Sequence, residues 1–174
     1  MLPTVRRTWA PKGRTPVLRH RGRRHRKISV IGALSISPRR RRLRLFLRWH
    51  PDTNVAEEQM IAFLRQLLRH LRGPVIIVWD RLNVHRGRRV RAWAADRRRV
   101  ALELLPPYAP ELNPVEGVWS YLKYHRLANH GIDDLAALHQ HAAEEAAAMI
   151  DRPDLLRGFV KGTPLPIRLP SAVY

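Results

Sequence analysis

Residues 75–123, VIIVWDRLNVHRGRRVRAWAADRRRVALELLPPYAPELNPVEGVWSYLK, decide how the chain is read. The apolar run Val75–Trp79 reads as a strand and ends in Asp80. A second apolar run, Val100–Leu105, passes through LPPYAPELNP into a helical pattern with Glu116 near its start. Residues 81–115, between the two carboxylates, suffice for one helix, one strand and one loop. A carboxylate at a strand end and one on a helix can bind the same divalent metal ions.

Each of these side chains has an ordinary structural reading beside the chemical one. Asp80 closes a strand at the carboxyl edge, where ligand sites form in open α/β sheets. Taken alone, it reads as a turn or helix-cap residue. Pro106 and Pro107 stiffen the exit from the second strand, Asn113 can cap the next helix, and Pro114 suits its first position. Glu116 then falls in the first turn, facing back toward the strand ends, while Val115, Val118, Trp119 and Leu122 can pack onto the sheet. The helix dipole alone would favour an acidic residue there. Lys123 lies two turns further on the same face, where it can hold a phosphate or simply be solvated. His85 can contact a phosphate, orient Asp80, or fill a loop as a partly buried histidine.

Outward from this stretch, Lys27–Ile36 (KISVIGALSI) is β-branched and apolar, a strand. Leu43–Trp49 alternates and pairs with it as a hairpin across a basic turn. Thr53 or Asn54 is the expected N-cap of a helix whose stripe is Val55, Met60, Ile61, Phe63, Leu64, Leu67, Leu68 and Leu71. Gly73-Pro74 stops it. A helix around Arg88–Asp96 buries Val90, Trp93 and Ala94. A helix from about Pro114 to Arg126 and another from Asp133 or Asp134 to Met149 complete the pattern. Beyond Pro153 the chain reads as basic and irregular. The order is strand, strand, helix, strand, helix, strand, helix, helix, which is α/β with a mixed sheet.

A chain of 174 residues with 45% hydrophobic composition can build one ordinary domain. It has no cysteine, so disulfides, thiolate zinc sites and cysteine nucleophiles are excluded. No apolar run approaches the roughly 18–20 residues that span a bilayer, and no signal peptide opens the chain. The net charge of +19 is uneven: residues 1–50 contain 16 Arg or Lys and no Asp or Glu. A block of this kind favours a polyanion through counterion release from phosphates. Only four of the 33 basic residues are Lys, so a GC-rich genome is a second source of arginine. Within the block, Arg23, Arg24, Arg26, Arg40 and Arg41 are candidate DNA contacts. His85, Asn113 and Lys123 join them beside the carboxylates.

WDRLNVH and LPPYAPELNPVEGVWSYLK resemble two segments of the DDE transposases, in the mariner-like bacterial insertion-sequence branch. One is the second catalytic carboxylate with its following histidine. The other is the Pro-Pro-Tyr loop leading to Asn-Pro, an apolar residue and Glu. The resemblance covers nearly the whole chain. It implies a ribonuclease-H-like (retroviral-integrase-like) mixed sheet with flanking helices. It also implies DNA strand cleavage and strand transfer by two-metal phosphodiester chemistry, with Asp80 and Glu116 as catalytic, metal-holding residues. Mg²⁺ is the implied metal, with Mn²⁺ as substitute, and no other cofactor. Implied partners are DNA, as transposon ends and target, and a second copy in the complete enzyme. The implied location is the bacterial cytoplasm, with the nucleoid and without a membrane.

The resemblance also sets out a departure. The family needs three carboxylates, the first closing an opening strand just before a segment like LPTVRRTWAPKGRTPV. Residues 1–51 contain no acidic residue, and Asp52 reads as a turn or cap residue. Three antiparallel strands open the family fold and two are visible here, and the family's helix-turn-helix region is absent. The expectation is therefore the later part of a transposase, with the first strand absent and an upstream transposase polypeptide as possible partner. Residues 1–26 form a basic arm, 27–150 a truncated catalytic domain, and 151–174 an irregular basic tail. Either a cleft or a substitute strand is expected between Lys27–Ile36 and Val75–Trp79. The isolated chain is expected to be inactive as a nuclease. The alternative is a catalytically dead DNA-binding remnant. A basic RNA-binding protein fits less well, since no aromatic RNA-stacking motif is visible.

Overall fold

The computed structural model describes residues 10–14, 27–39, 42–129 and 134–170. Most of the expected basic arm, including Arg23, Arg24 and Arg26, lies outside the described residues, as do Arg40 and Arg41.

The β-branched, alternating stretches form an antiparallel hairpin, β1 (Ile28–Ile36) and β2 (Leu43–Pro51). Its turn closes through the Ser37 N–H on Arg42 O (2.9 Å) and the Arg42 N–H on Ser37 Oγ (3.1 Å). Pairing sets Ala33 beside Phe46, and Gly32 beside Leu47, on alternate faces. Ile31, Ala33 and Phe46 join a core with α1 (Glu57–His70), while Leu34, Leu45, Leu47 and Trp49 join a second core on the other face. The hairpin is thus the middle layer of three.

On the first side, α1 leads to β3 (Val75–Trp79), then α2 (Arg88–Ala95) and β4 (Val100–Leu104), which pairs with β3 in parallel. Met60, Phe63, Leu64, Leu67 and Leu68 of α1 bury against Trp79, Val90 and Trp93. On the second side, α3 (Pro114–Tyr121) runs on through a π-helical turn at Leu122–Arg126, followed by α4 (Leu135–Ile150) and α5 (Pro153–Lys161). Val118, Leu122, Met149 and Leu156 fill that core.

Side chains borrowed from neighbouring elements satisfy several helix ends. Glu57 Oε2 accepts from the N–H groups of Arg89 (2.8 Å) and Val90 (3.1 Å), so the first residue of α1 caps α2. A Cβ at Gly87 would fall 2.1 Å from that carboxylate oxygen, so only glycine admits the contact. Arg99 donates to Leu68 O (2.6 Å) and Leu71 O (2.9 Å), closing the carbonyl end of α1. Gly73, in the left-handed region at φ +76°, then turns the chain into β3.

Three expectations are corrected. The N-cap of α1 is Ala56, not Thr53 or Asn54. Its N–H donates to Gln59 Oε1 (3.1 Å), while the Thr53 hydroxyl turns back to Pro51 O. Residues 153–161, expected to be irregular, form α5 because Pro153 opens a helix whose Leu156 and Val160 are buried. The expected single mixed sheet is instead two two-stranded sheets, with β1 and β3 not hydrogen-bonded to one another. Both strands nonetheless contribute to one core, through Ile31 and Trp79. No strand lies between them among the described residues.

Candidate active site

The carboxyl ends of β3 and β4 are tied together. The Leu105 N–H donates to Trp79 O (2.8 Å), and Arg81 Nε returns to Leu105 O (3.0 Å). Asp80 stands at this strapped edge. Its Oδ1 accepts from the Leu82 N–H (3.0 Å) in a tight turn and lies 2.6 Å from His85 Nδ1. With Asp80 ionised, Nδ1 carries the proton of that bond. The imidazole stacks flat on Trp79, centroids 4.7 Å apart and planes 6° apart, which leaves it largely buried. His85 is thus held between the Trp79 ring and the Asp80 carboxylate, rather than standing free in the loop. Among the described residues no hydrogen bond engages Oδ2, so one carboxylate oxygen is held and the other is open to a ligand.

Glu116 arrives from β4 through the proline loop. Leu105 is buried, a single 3₁₀ turn forms at Pro110–Leu112, and Asn113 caps α3 by accepting from the Val115 N–H (3.2 Å). Its side-chain oxygen serves the helix, which gives Asn113 a structural role beside the DNA contact considered for it. Glu116 lies in the first turn and keeps contact with solvent. Partial desolvation raises its carboxyl above the ordinary value. The negative charge of Asp80 raises it further, and the ammonium of Lys123 opposes both. The charges of Asp80 and Lys123 thus act on Glu116 in opposite directions.

Two features went unnoticed in the sequence. Arg81, read only as part of WDRLNVH, is the strap between strand ends. Tyr108 lies fully exposed in the left-handed region at φ 57°, an outward aromatic on the loop leading to Glu116. Its position between two prolines and the helix cap was the available signal. Among the described residues, no group of three or more His, Cys, Asp or Glu side chains is gathered as a metal set. No described helix is long and apolar enough to cross a membrane.

Asp80 at a strand end and Glu116 in the first turn of α3 are electrostatically coupled in a mixed α/β fold, and comparison gives the family. The model of the DDE superfamily endonucleases matches residues 2–139, and the chain belongs to that family. Its fold is similar to that of the Mos1 mariner paired end complex with Mn, with TM-score 0.62 and 17% identity over 93% of this chain and 47% of that one. It is similar also to the Mos1 Strand Transfer Complex, with TM-score 0.59 and 21% identity over 91% of this chain and 47% of that one. The uncharacterized protein y4pE/y4sA of Sinorhizobium fredii (strain NBRC 101917 / NGR234) is 35% identical over 54 residues, which are 31% of this chain and 40% of that protein. The chain spans less than half the length of each of these relatives.

Proposed function

We propose that the chain supplies two carboxylates, Asp80 and Glu116, of a transposase centre that cleaves and joins DNA strands. The observation that carries this reading is their electrostatic coupling: the charge of Asp80, at the carboxyl edge of β3, raises the carboxyl of Glu116 in the first turn of α3. Two oxygen donors carrying unneutralised like charge fit a hard divalent cation, Mg²⁺ or Mn²⁺. When bound there, such an ion would offset the repulsion and supply Lewis-acid chemistry at a phosphodiester. The chain's own part is positional. Trp79 and His85 fix Asp80, the Asn113 cap and Pro114 fix the start of α3, and Lys123 stands where it can hold a phosphate. The implied substrate is DNA, as transposon ends and target, which fits the likeness to Mos1 complexes with transposon ends.

Two carboxylates are a partial set for two-metal chemistry, and a further acidic strand would complete it. The family resemblance calls for a third carboxylate, and residues 1–51 contain none. A catalytically dead DNA-binding chain is the second reading, favoured by the absence of a three-residue metal set among the described residues.

Incubation of the chain with end-bearing duplex DNA and Mg²⁺ or Mn²⁺ is expected to show binding without cleavage, because positioning supplies most of phosphoryl-transfer catalysis. Robust cleavage lost in Glu116→Gln would show that the set is complete and overturn the need for a further acidic strand. Cleavage restored by adding a polypeptide that supplies an acidic strand, and abolished by Asp80→Asn, would exclude the dead-remnant reading.

A further inference from the structure

The opposite end of the β3–β4 sheet carries a feature that the carboxylate site does not use. Arg65 and Arg69, one turn apart on α1, face a broad concavity shared with Trp93, Arg97, Arg98 and Arg99 from α2 and the turn before β4. The strands are parallel, and the Val75 N–H donates to Arg99 O (2.7 Å), so this turn is level with the amino end of β3. Asp80 follows the carboxyl end. The length of a five-residue strand, roughly 16 Å at about 3.3 Å per residue, separates the two.

Two of these arginines form a fixed floor. Arg97 lies over the Trp93 ring, 4.4 Å from its centroid, and donates to Trp93 O (2.5 Å). Arg99 is held by the carbonyls that end α1. Arg65, Arg69 and Arg98 are exposed and form no ion pair among the described residues. The nearby carboxylate, Asp96, pairs with Arg97 at 3.3 Å and does not reach them. The indole N–H of Trp93, buried beneath the concavity, is without a hydrogen-bond partner among the described residues. The site is therefore a cluster of permanent cations, open enough for an extended chain of phosphates rather than one enclosed anion.

We propose that this arginine concavity is a second phosphate-binding surface for duplex DNA, independent of the Asp80–Glu116 site. Duplex DNA as the polyanion rests on the function proposed above; the anion-binding character rests on the geometry alone. A duplex turn of roughly 34–36 Å is about twice the separation of the two sites, so one DNA segment is long enough to engage both.

The test is the salt dependence of duplex binding by the full chain in EDTA, where no divalent cation contributes. In Arg65→Gln/Arg69→Gln/Arg98→Gln, the slope of log affinity against log salt is expected to become shallower by about 2 to 3, at roughly 0.9 per lost phosphate contact. The corresponding triple Lys variant retains the charges and is expected to restore the wild-type slope. An unchanged slope in the Gln variant overturns the proposal. So does a shallow slope in the Lys variant, since loss of charge would then not be the cause. Because EDTA is present, failure of the carboxylates to bind a metal would leave this result untouched, so the two proposals can fail separately.

Discussion

At the scale of single residues, the site turns on burial and a like-charge neighbour acting on one carboxyl. Glu116 has its folded-state carboxyl raised above the ordinary value of 4.5 by burial and then by Asp80. A carboxyl raised on folding contributes stability that is fully present below its unfolded value and lost as pH rises through the folded value. In the absence of a divalent ion, wild type is therefore expected to lose stability relative to Glu116→Gln as pH rises above the ordinary carboxyl value of 4.5, read as a difference in Tm. NMR titration of Glu116 in Asp80→Asn should place its carboxyl nearer the ordinary value; an unmoved titration would mean the two groups are not neighbours. Divalent-ion binding favours the ionised carboxyl and should strengthen with pH across the same window. Glu57 makes a simpler case. Removal of its carboxylate in Glu57→Ala leaves the Arg89 and Val90 N–H groups uncapped, and thermal unfolding should show a loss of about 1–2 kcal/mol. The acidic character of Glu57 near a helix start was legible in the sequence, but the helix it serves was not. The contact joins residues 32 positions apart, and local pattern contains no record of which helix end a side chain will meet.

At the scale of elements, close approach and exposure make opposite predictions. A Cβ at Gly32 of β1 would lie 2.7 Å from the Trp119 ring of α3, so Gly32→Ala should force the indole aside. Its expected cost is about 1–3 kcal/mol by chemical denaturation, and a neutral result would mean that α3 does not seat on β1 there. On β3, Ile76 and Val78 are 68% and 52% exposed, an apolar face beside an open strand edge. Ile76→Thr with Val78→Thr should change stability by less than about 0.5 kcal/mol each and reduce self-association measured by light scattering. A large destabilisation would show that this face is covered. Every strand and all helices up to Ile150 were legible, because the periods of Val75–Trp79, Met60–Leu71 and Val118–Leu122 are strong. The helix α5 was obscured by Pro153 and by the surrounding basic residues, although Leu155, Leu156, Phe159 and Val160 carry the helical spacing. The split of the sheet was not legible, since period and propensity describe strands and not their partners.

At the scale of the molecule, charge and carboxylates divide the work. The Asp80–Glu116 pair stands at one end of the β3–β4 sheet and the arginine concavity at the other, on a chain with net charge +19. The candidate catalytic residues were legible from spacing and from the loop LPPYAPELNP, whereas the concavity was not. Arg65 and Arg69 are remote in sequence from Arg97–Arg99, and only packing of α1 against α2 brings them together. The central claim is that Asp80 and Glu116 form one divalent-cation site, and calorimetric titration of the chain with Mn²⁺ tests it most directly. Wild type is predicted to bind Mn²⁺, Asp80→Asn and Glu116→Gln each to lose at least about tenfold in affinity, and the double variant to be little worse than either single one, as coupled ligands require. No binding by wild type, or wild-type affinity in both single variants, would contradict the account.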